Sequence, residues 1–106
     1  MKTKAPTAPA KLKKLGKTLA HLNHHAGAKS LHALLSAAVV RCITEGDWSP
    51  GDRIPTESEL IELSGYSLGT VQRALRSLTE EGVLERKQGS GTFVSKHSPR
   101  INDVAH

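Results

Sequence analysis

At 106 residues the chain has room for one small domain, not for an enzyme-sized cleft with a second domain beside it. Trp48, Tyr66 and Phe93 are its only aromatics, so the core falls to Leu, Val, Ile and Ala, which favours a mainly helical fold over an aromatic-rich sandwich. The net charge of +5 is unevenly divided: residues 1–44 hold eight Lys/Arg and no acid, and residues 45–106 hold seven Lys/Arg against all ten Asp and Glu, so the first half would attract a polyanion, either nucleic acid or an anionic membrane surface.

Residues 1–28 read as a basic flexible arm with an amphipathic helix inside it. The opening MKTKAPTAPA has too little apolar surface to order itself, whereas Leu12, Leu15, Leu19 and Leu22 recur at helical spacing with lysines between them. That leucine seam serves either to pair two copies or to pack on the protein's own core. His21, His24 and His25 have helical spacing for a metal, but no Cys, Asp or Glu lies nearby to complete a shell, and no metal or other cofactor is expected. From 30 to 45, Leu31, Leu34, Leu35, Ala38, Val39, Cys42 and Ile43 follow the i, i+3, i+4 rule behind the N-cap Ser30. The lone Cys42 on this stripe rules out an internal disulfide and suits a reducing cytoplasm. No apolar run approaches the roughly 18 residues of a membrane span, and the basic start lacks the apolar segment of a secretory signal.

Gly46 stops that helix, and Pro50 and Gly51 suit the central positions of a type II turn leading into a short extended piece at Arg53 and Ile54. Thr56 and Glu59 form a capping box opening a short helix that buries Leu60, Ile61 and Leu63 and ends at Gly65. Ser67 caps the next helix, whose buried stripe is Val71, Ala74, Leu75 and Leu78 and whose stop is Gly82. Two helices joined by about three residues containing Gly have helix-turn-helix spacing, here 57–76. After Gly82 the period becomes that of strands: VLERK, the Gly-rich QGSG and TFVS make a hairpin over 83–95. Helix, helix-turn-helix, hairpin is the winged-helix order, so the fold expected is mainly α with a small β-hairpin. The tail at 97–106 is either a disordered end or the linker to a further domain.

The segments EGDWSPGDRIPTESEL and SGYSLGTVQRALRSLTEEGVLERKQGSGTFV together resemble the N-terminal winged helix-turn-helix DNA-binding domain of the GntR family of bacterial transcription regulators, over about residues 29–96. The resemblance rests on three linked motifs in order: P-G-D-R-x-P-x-E, T-V-x-x-A-L and Q-G-x-G-T-F-V. It implies a sequence-specific double-stranded DNA-binding regulator, most naturally a repressor, cytoplasmic and nucleoid-associated, not an enzyme, acting as a homodimer on an inverted-repeat operator. Family members usually carry a larger effector or oligomerisation domain after the wing, so no effector ligand is assignable in this chain. They also commonly carry Arg where this chain has Leu68 and Gln72, at positions that face base edges in the family. The alternative is a winged-helix module for plasmid or phage DNA maintenance or for protein–protein contact.

In the helix 67–81, Gly69, Arg73 and Arg76 fall opposite Val71 and Leu75, with Thr70 and Gln72 on the flanks, so its N-terminal end is the part expected to enter the major groove. Helix starts with Thr56, Ser67 and Thr70 suit phosphate oxygens, although Thr56 and Ser67 also serve as caps. Leu68 is positioned to meet a thymine methyl, Gly69 to allow close approach, and Gln72 to match adenine N7 and N6. Arg73 either meets DNA or pairs with Glu80 or Glu81. Arg86, Lys87, Gln88, Gly89, Ser90 and Gly91 form the wing tip, and Arg53 and Ser58 complete the candidate DNA-binding set. Glu57, Glu59 and Glu62 read as a solvated helix face.

Overall fold

The computed structural model describes residues 9–25 and 30–96, so residues 1–8 and 26–28 of the arm expected over 1–28, and the tail at 97–106, lie outside the described residues. Among these there are four helices, α1 (Pro9–His25), α2 (Leu31–Thr44), α3 (Glu57–Ser64) and α4 (Leu68–Glu80), followed by a hairpin of β1 (Leu84–Lys87) and β2 (Gly91–Val94). The order is that of the winged helix-turn-helix, and none of the helices is long and apolar enough to cross a membrane.

α1 begins at Pro9, a residue tolerated in a first turn because its missing N–H would have no partner there. Its leucine seam settles into the protein's own core: Leu15 and Leu19 are buried, Leu22 is partly so, and α1 lies against α2 and α3. The seam is therefore not a free face for pairing two copies. Gly16, unfavourable inside a helix, stands where α1 and α3 approach closely, since a Cβ there would lie 3.3 Å from Leu63 Cδ1. α2 is capped by Ser30, whose Oγ accepts the N–H of Ala33, and it buries Leu34, Leu35, Ala38, Val39 and Cys42. Leu31, on the same periodicity, is instead 48% exposed because it sits at the first helical position, ahead of the packed turns.

Asp52 N–H donates to Ser49 O at 2.9 Å across Pro50 and Gly51, with Gly51 at φ 90, which is the type II turn the sequence predicts. Beneath that turn Trp48, 1% exposed, is among the largest fully buried side chains. The chain then runs beside β2: Gly51 N–H donates to Val94 O, Val94 N–H to Asp52 O and Ile54 N–H to Thr92 O, all within 2.9 Å, around an antiparallel bridge between Arg53 and Phe93. Phe93 pairs with Glu85 of β1 as well, so at its root β2 is the middle of three extended segments.

α3 opens with the full capping box: Thr56 Oγ1 accepts Glu59 N–H at 3.1 Å and Thr56 N–H donates to Glu59 Oε1 at 2.9 Å. Such a cap contributes about 1 kcal/mol. Gly65 closes α3 in the left-handed conformation at φ 77, and Tyr66 packs into the core between the two helices. Of the apolar residues expected in α3, Leu60 is fully buried while Ile61 and Leu63 are partly so. α4 buries Val71, Ala74, Leu75 and Leu78, as its sequence pattern requires, and packs on α2, α3 and β1.

Candidate nucleic-acid interface

With one stripe of α4 committed to the core, Leu68, Gly69, Gln72, Arg73 and Arg76 are exposed and Thr70 is half-buried. Leu68 is 49% exposed and, with Leu31, is one of two exposed large hydrophobic residues among those described. Gly69 is not in a glycine-only conformation, and a Cβ on it would meet nothing closer than Ser67 Oγ at 4.0 Å. The fold therefore does not demand glycine here. Ser67 caps α4, its Oγ accepting Thr70 N–H at 3.2 Å and donating to Thr70 Oγ1 at 3.0 Å. Arg73 and Arg76 enter no ion pair among the described residues, so the pairing of Arg73 with Glu80 or Glu81 is not formed.

The wing carries Arg86 and Lys87 exposed at the end of β1, with Lys87 Nζ 5.3 Å from the Phe93 ring centroid. That cation–π contact keeps the lysine stem against the ribbon. Gln88, Gly89 and Ser90 form the exposed tip: Ser90 N–H donates to Lys87 O at 2.9 Å across Gly89 at φ 80, and Gly91 at φ 118 starts β2. Both glycines adopt a backbone that other residues rarely take. Ser58 is exposed on the first turn of α3 and Thr56 just before it, whereas Arg53 is half-buried at the wing root beside Phe93, away from the tip.

The three glutamates of α3 do not form one solvated face. Glu59 is the capping partner of Thr56, and of the three only Glu62 is exposed. Glu57, half-buried, lies between α4 and the wing: Gln72 Nε2 donates to Glu57 Oε1 at 3.5 Å, and Arg86 Nη2 stands 4.0 Å from Glu57 Oε2. Sequence periodicity misses this because Glu57 and Gln72 are brought together only by the crossing of α3 and α4. The one local signal is that an acid in a helix's first turn is favoured by the helix dipole.

The basic character of α1 is also redistributed. Lys11 pairs with Asp52 at 3.3 Å, and Lys14 with Glu45 at 3.1 Å and Asp47 at 3.5 Å, leaving Lys13 and Lys17 exposed. The Glu45 hydrogen bond, with Asp47 beside it, pushes the Lys14 ammonium pKa above its ordinary 10.5. No group of three His, Cys, Asp or Glu residues able to hold a metal comes together among the described residues.

Residues 33–94 match the family described as bacterial regulatory proteins, gntR family. The histidine utilization repressor of Pseudomonas putida is 40% identical over 84 residues, covering 74% of this chain and 34% of that protein. The mannosyl-D-glycerate transport/metabolism system repressor MngR of Escherichia coli K12 is 42% identical over 76 residues, covering 72% of this chain and 31% of that protein. The chain thus spans about a third of the length of these relatives. Among solved structures, AraR(DBD) in complex with operator ORR3 superposes with a TM-score of 0.59 at 36% identity, covering 60% of this chain and 77% of that one. A GntR family transcriptional regulator from Listeria monocytogenes, 24% identical, shares the fold with a TM-score of 0.66 over 74% of this chain and 73% of its own. The match of residues 33–94, the helix-turn-helix with its wing and the likeness to these domains lead to one conclusion: the chain belongs to the gntR family of bacterial regulatory proteins and carries that family's winged helix-turn-helix domain.

Proposed function

We propose that this domain reads double-stranded operator DNA as the DNA-binding part of a transcription repressor. The N-terminal end of α4 enters the major groove, and the wing tip lies on the adjoining backbone. The observation that carries the reading is the continuity of one surface. Leu68, Gln72, Arg73 and Arg76 are exposed on α4, Arg86 and Lys87 are exposed on the wing, and Glu57 touches both Gln72 and Arg86. A helix end presenting an amide and guanidinium groups beside a basic ribbon suits base edges and phosphates together. The likeness to repressors and to an operator-bound domain supports the same reading. The domain acts in the cytoplasm, where its DNA is, and performs no catalysis.

A single winged helix offers few contacts, so binding to an inverted repeat by two copies is the arrangement that yields useful affinity. With Leu15 and Leu19 inside the fold, the pairing surface lies elsewhere than the α1 seam. Selection of bound duplexes from a random pool, followed by gel shift across a salt series, tests the proposal. Recovery of a two-fold-symmetric site with a steep salt dependence is the expected result. Failure to enrich any sequence would favour a role in protein contact instead.

A further inference from the structure

The geometry points to Glu57 as a positioning residue for specificity: its carboxylate fixes the amide orientation of Gln72 on α4 and ties that side chain to Arg86 of the wing. The inference rests on the DNA-reading role proposed above. Gln72 reaches Glu57 through Nε2 at 3.5 Å. Only the nitrogen end of an amide can donate to a carboxylate, so this contact selects one of the two flip states. One N–H is directed to Glu57, while Oε1 and the second N–H remain for a ligand. That remaining pair, one acceptor and one donor, is what adenine N6 and N7 require in a bidentate contact. The opposite flip would turn Oε1 towards a carboxylate oxygen, placing two acceptors against each other.

The second carboxylate oxygen of Glu57 stands 4.0 Å from Arg86 Nη2, at the outer edge of ion-pair range. Arg86 is exposed and Glu57 half-buried, so the guanidinium is the mobile partner, drawn towards the α3–α4 crossing from a wing whose root is fixed by the bridge at Phe93. Each oxygen of Glu57 thus serves one reading element. The carboxylate stands in the first turn of α3, where the N–H groups of the helix start favour an acid. Its nearness to DNA would by itself repel phosphate, and Arg86 offsets that charge.

Two measurements test this with variants of the whole chain. In the free protein, Glu57→Gln should move the side-chain Nε2–H resonances of Gln72 while lowering the thermal midpoint by no more than the few degrees that loss of a first-turn acid costs; unchanged Gln72 resonances would overturn the proposal. On DNA, affinities are compared for sites differing only at the base read by Gln72, in wild type, Glu57→Gln, Gln72→Ala and the double variant. Glu57→Gln should reduce discrimination at that base about fivefold or more, the low end of what a bidentate pair confers, and should have no further effect once Gln72 is Ala. An equal loss in both backgrounds, or an equal loss on all sites, would overturn the proposal by showing that Glu57 acts without Gln72. If Gln72→Ala alone leaves every base preference unaltered, the base-reading role of Gln72 has failed, and the DNA arm of this proposal fails with it.

Discussion

Lys11 Nζ lies 3.3 Å from Asp52 Oδ2, the same oxygen that accepts the N–H of Ser49 at 2.9 Å and so braces the Pro50–Gly51 turn. A helix rich in lysine is thereby pinned to the acidic loop that leads into the helix-turn-helix, with Lys14 on Glu45 and Asp47 repeating the contact one turn later. Exposed pairs of this kind contribute about 0–1 kcal/mol each, so it is the leucines beneath them that hold α1 in place. Removing residues 1–8 deletes Lys2 and Lys4 alone and should leave the melting temperature unchanged, while the log K against log salt slope falls by up to about 2 units. Leu15→Ala should destabilise the fold by about 2–5 kcal/mol. Its midpoint should not depend on protein concentration, which calorimetry at two concentrations checks.

Leu68 has no role in the core, being 49% exposed at the first position of α4. Leu68→Ala should change stability by no more than about 0.5 kcal/mol, as is usual for exposed sites. Its effect should appear at one symmetric base position of the selected site, where a preference for thymine over cytosine weakens. Competition gel shifts with sites differing at that pair measure it.

Gln72→Arg should move preference at one symmetric position from A towards G by about 1–3 kcal/mol, the usual worth of a bidentate pair. Because residue 72 stands beside the Glu57 carboxylate, the new guanidinium would be drawn to that acid, and the shift should be larger when Glu57→Gln is added. Equal weakening on all sequences would mean that residue 72 neighbours a phosphate rather than a base.

Alkaline pH should unfold the domain through three groups acting in one direction. Burial raises the Cys42 thiol above 9.0 and the Tyr66 phenol above 10.0, and the Glu45 contact raises Lys14 above 10.5. A raised folded-state pKa means that the native state holds its proton more tightly than the unfolded chain. The stability from each group is therefore complete below its ordinary pKa and is lost as pH rises through the folded one. Denaturant midpoints should be level across neutral pH with respect to these groups and fall above about pH 9, and Tyr66→Phe should flatten the part of that fall above about pH 10.

What the sequence shows plainly are the features decided within a few residues. The Thr56–Glu59 box, the Pro50–Gly51 turn, the Ser30 and Ser67 caps and the 3.6-residue stripe of α4 each follow from local backbone chemistry, and the structure contains them. Contacts between distant segments are harder to read. Trp48 stands in a polar turn sequence yet lies fully buried, because the turn folds over the end of α2, with Trp48 N–H donating to Cys42 O. Gly16 reads as a helix breaker until its 3.3 Å clearance to Leu63 supplies the reason. In the candidate interface, the outward face of α4 is legible from periodicity, whereas the position of Glu57 between Gln72 and Arg86 depends on how α3, α4 and the hairpin cross.

Because Phe93 is gripped by Glu85 on one side and Arg53 on the other, the wing is a short cantilever whose root is continuous with the segment entering α3. Only the tip from Lys87 to Gly91 projects beyond that clamp and its flanking pairs. On the proposed reading, the separation between the helix end and the ribbon tip would act as a gauge built into the protein, and the duplex would be the partner that adjusts its groove width to fit. Operators with easily deformed pyrimidine–purine steps between the two contacts would bind more tightly than stiff A-tracts there, at base pairs that no side chain touches.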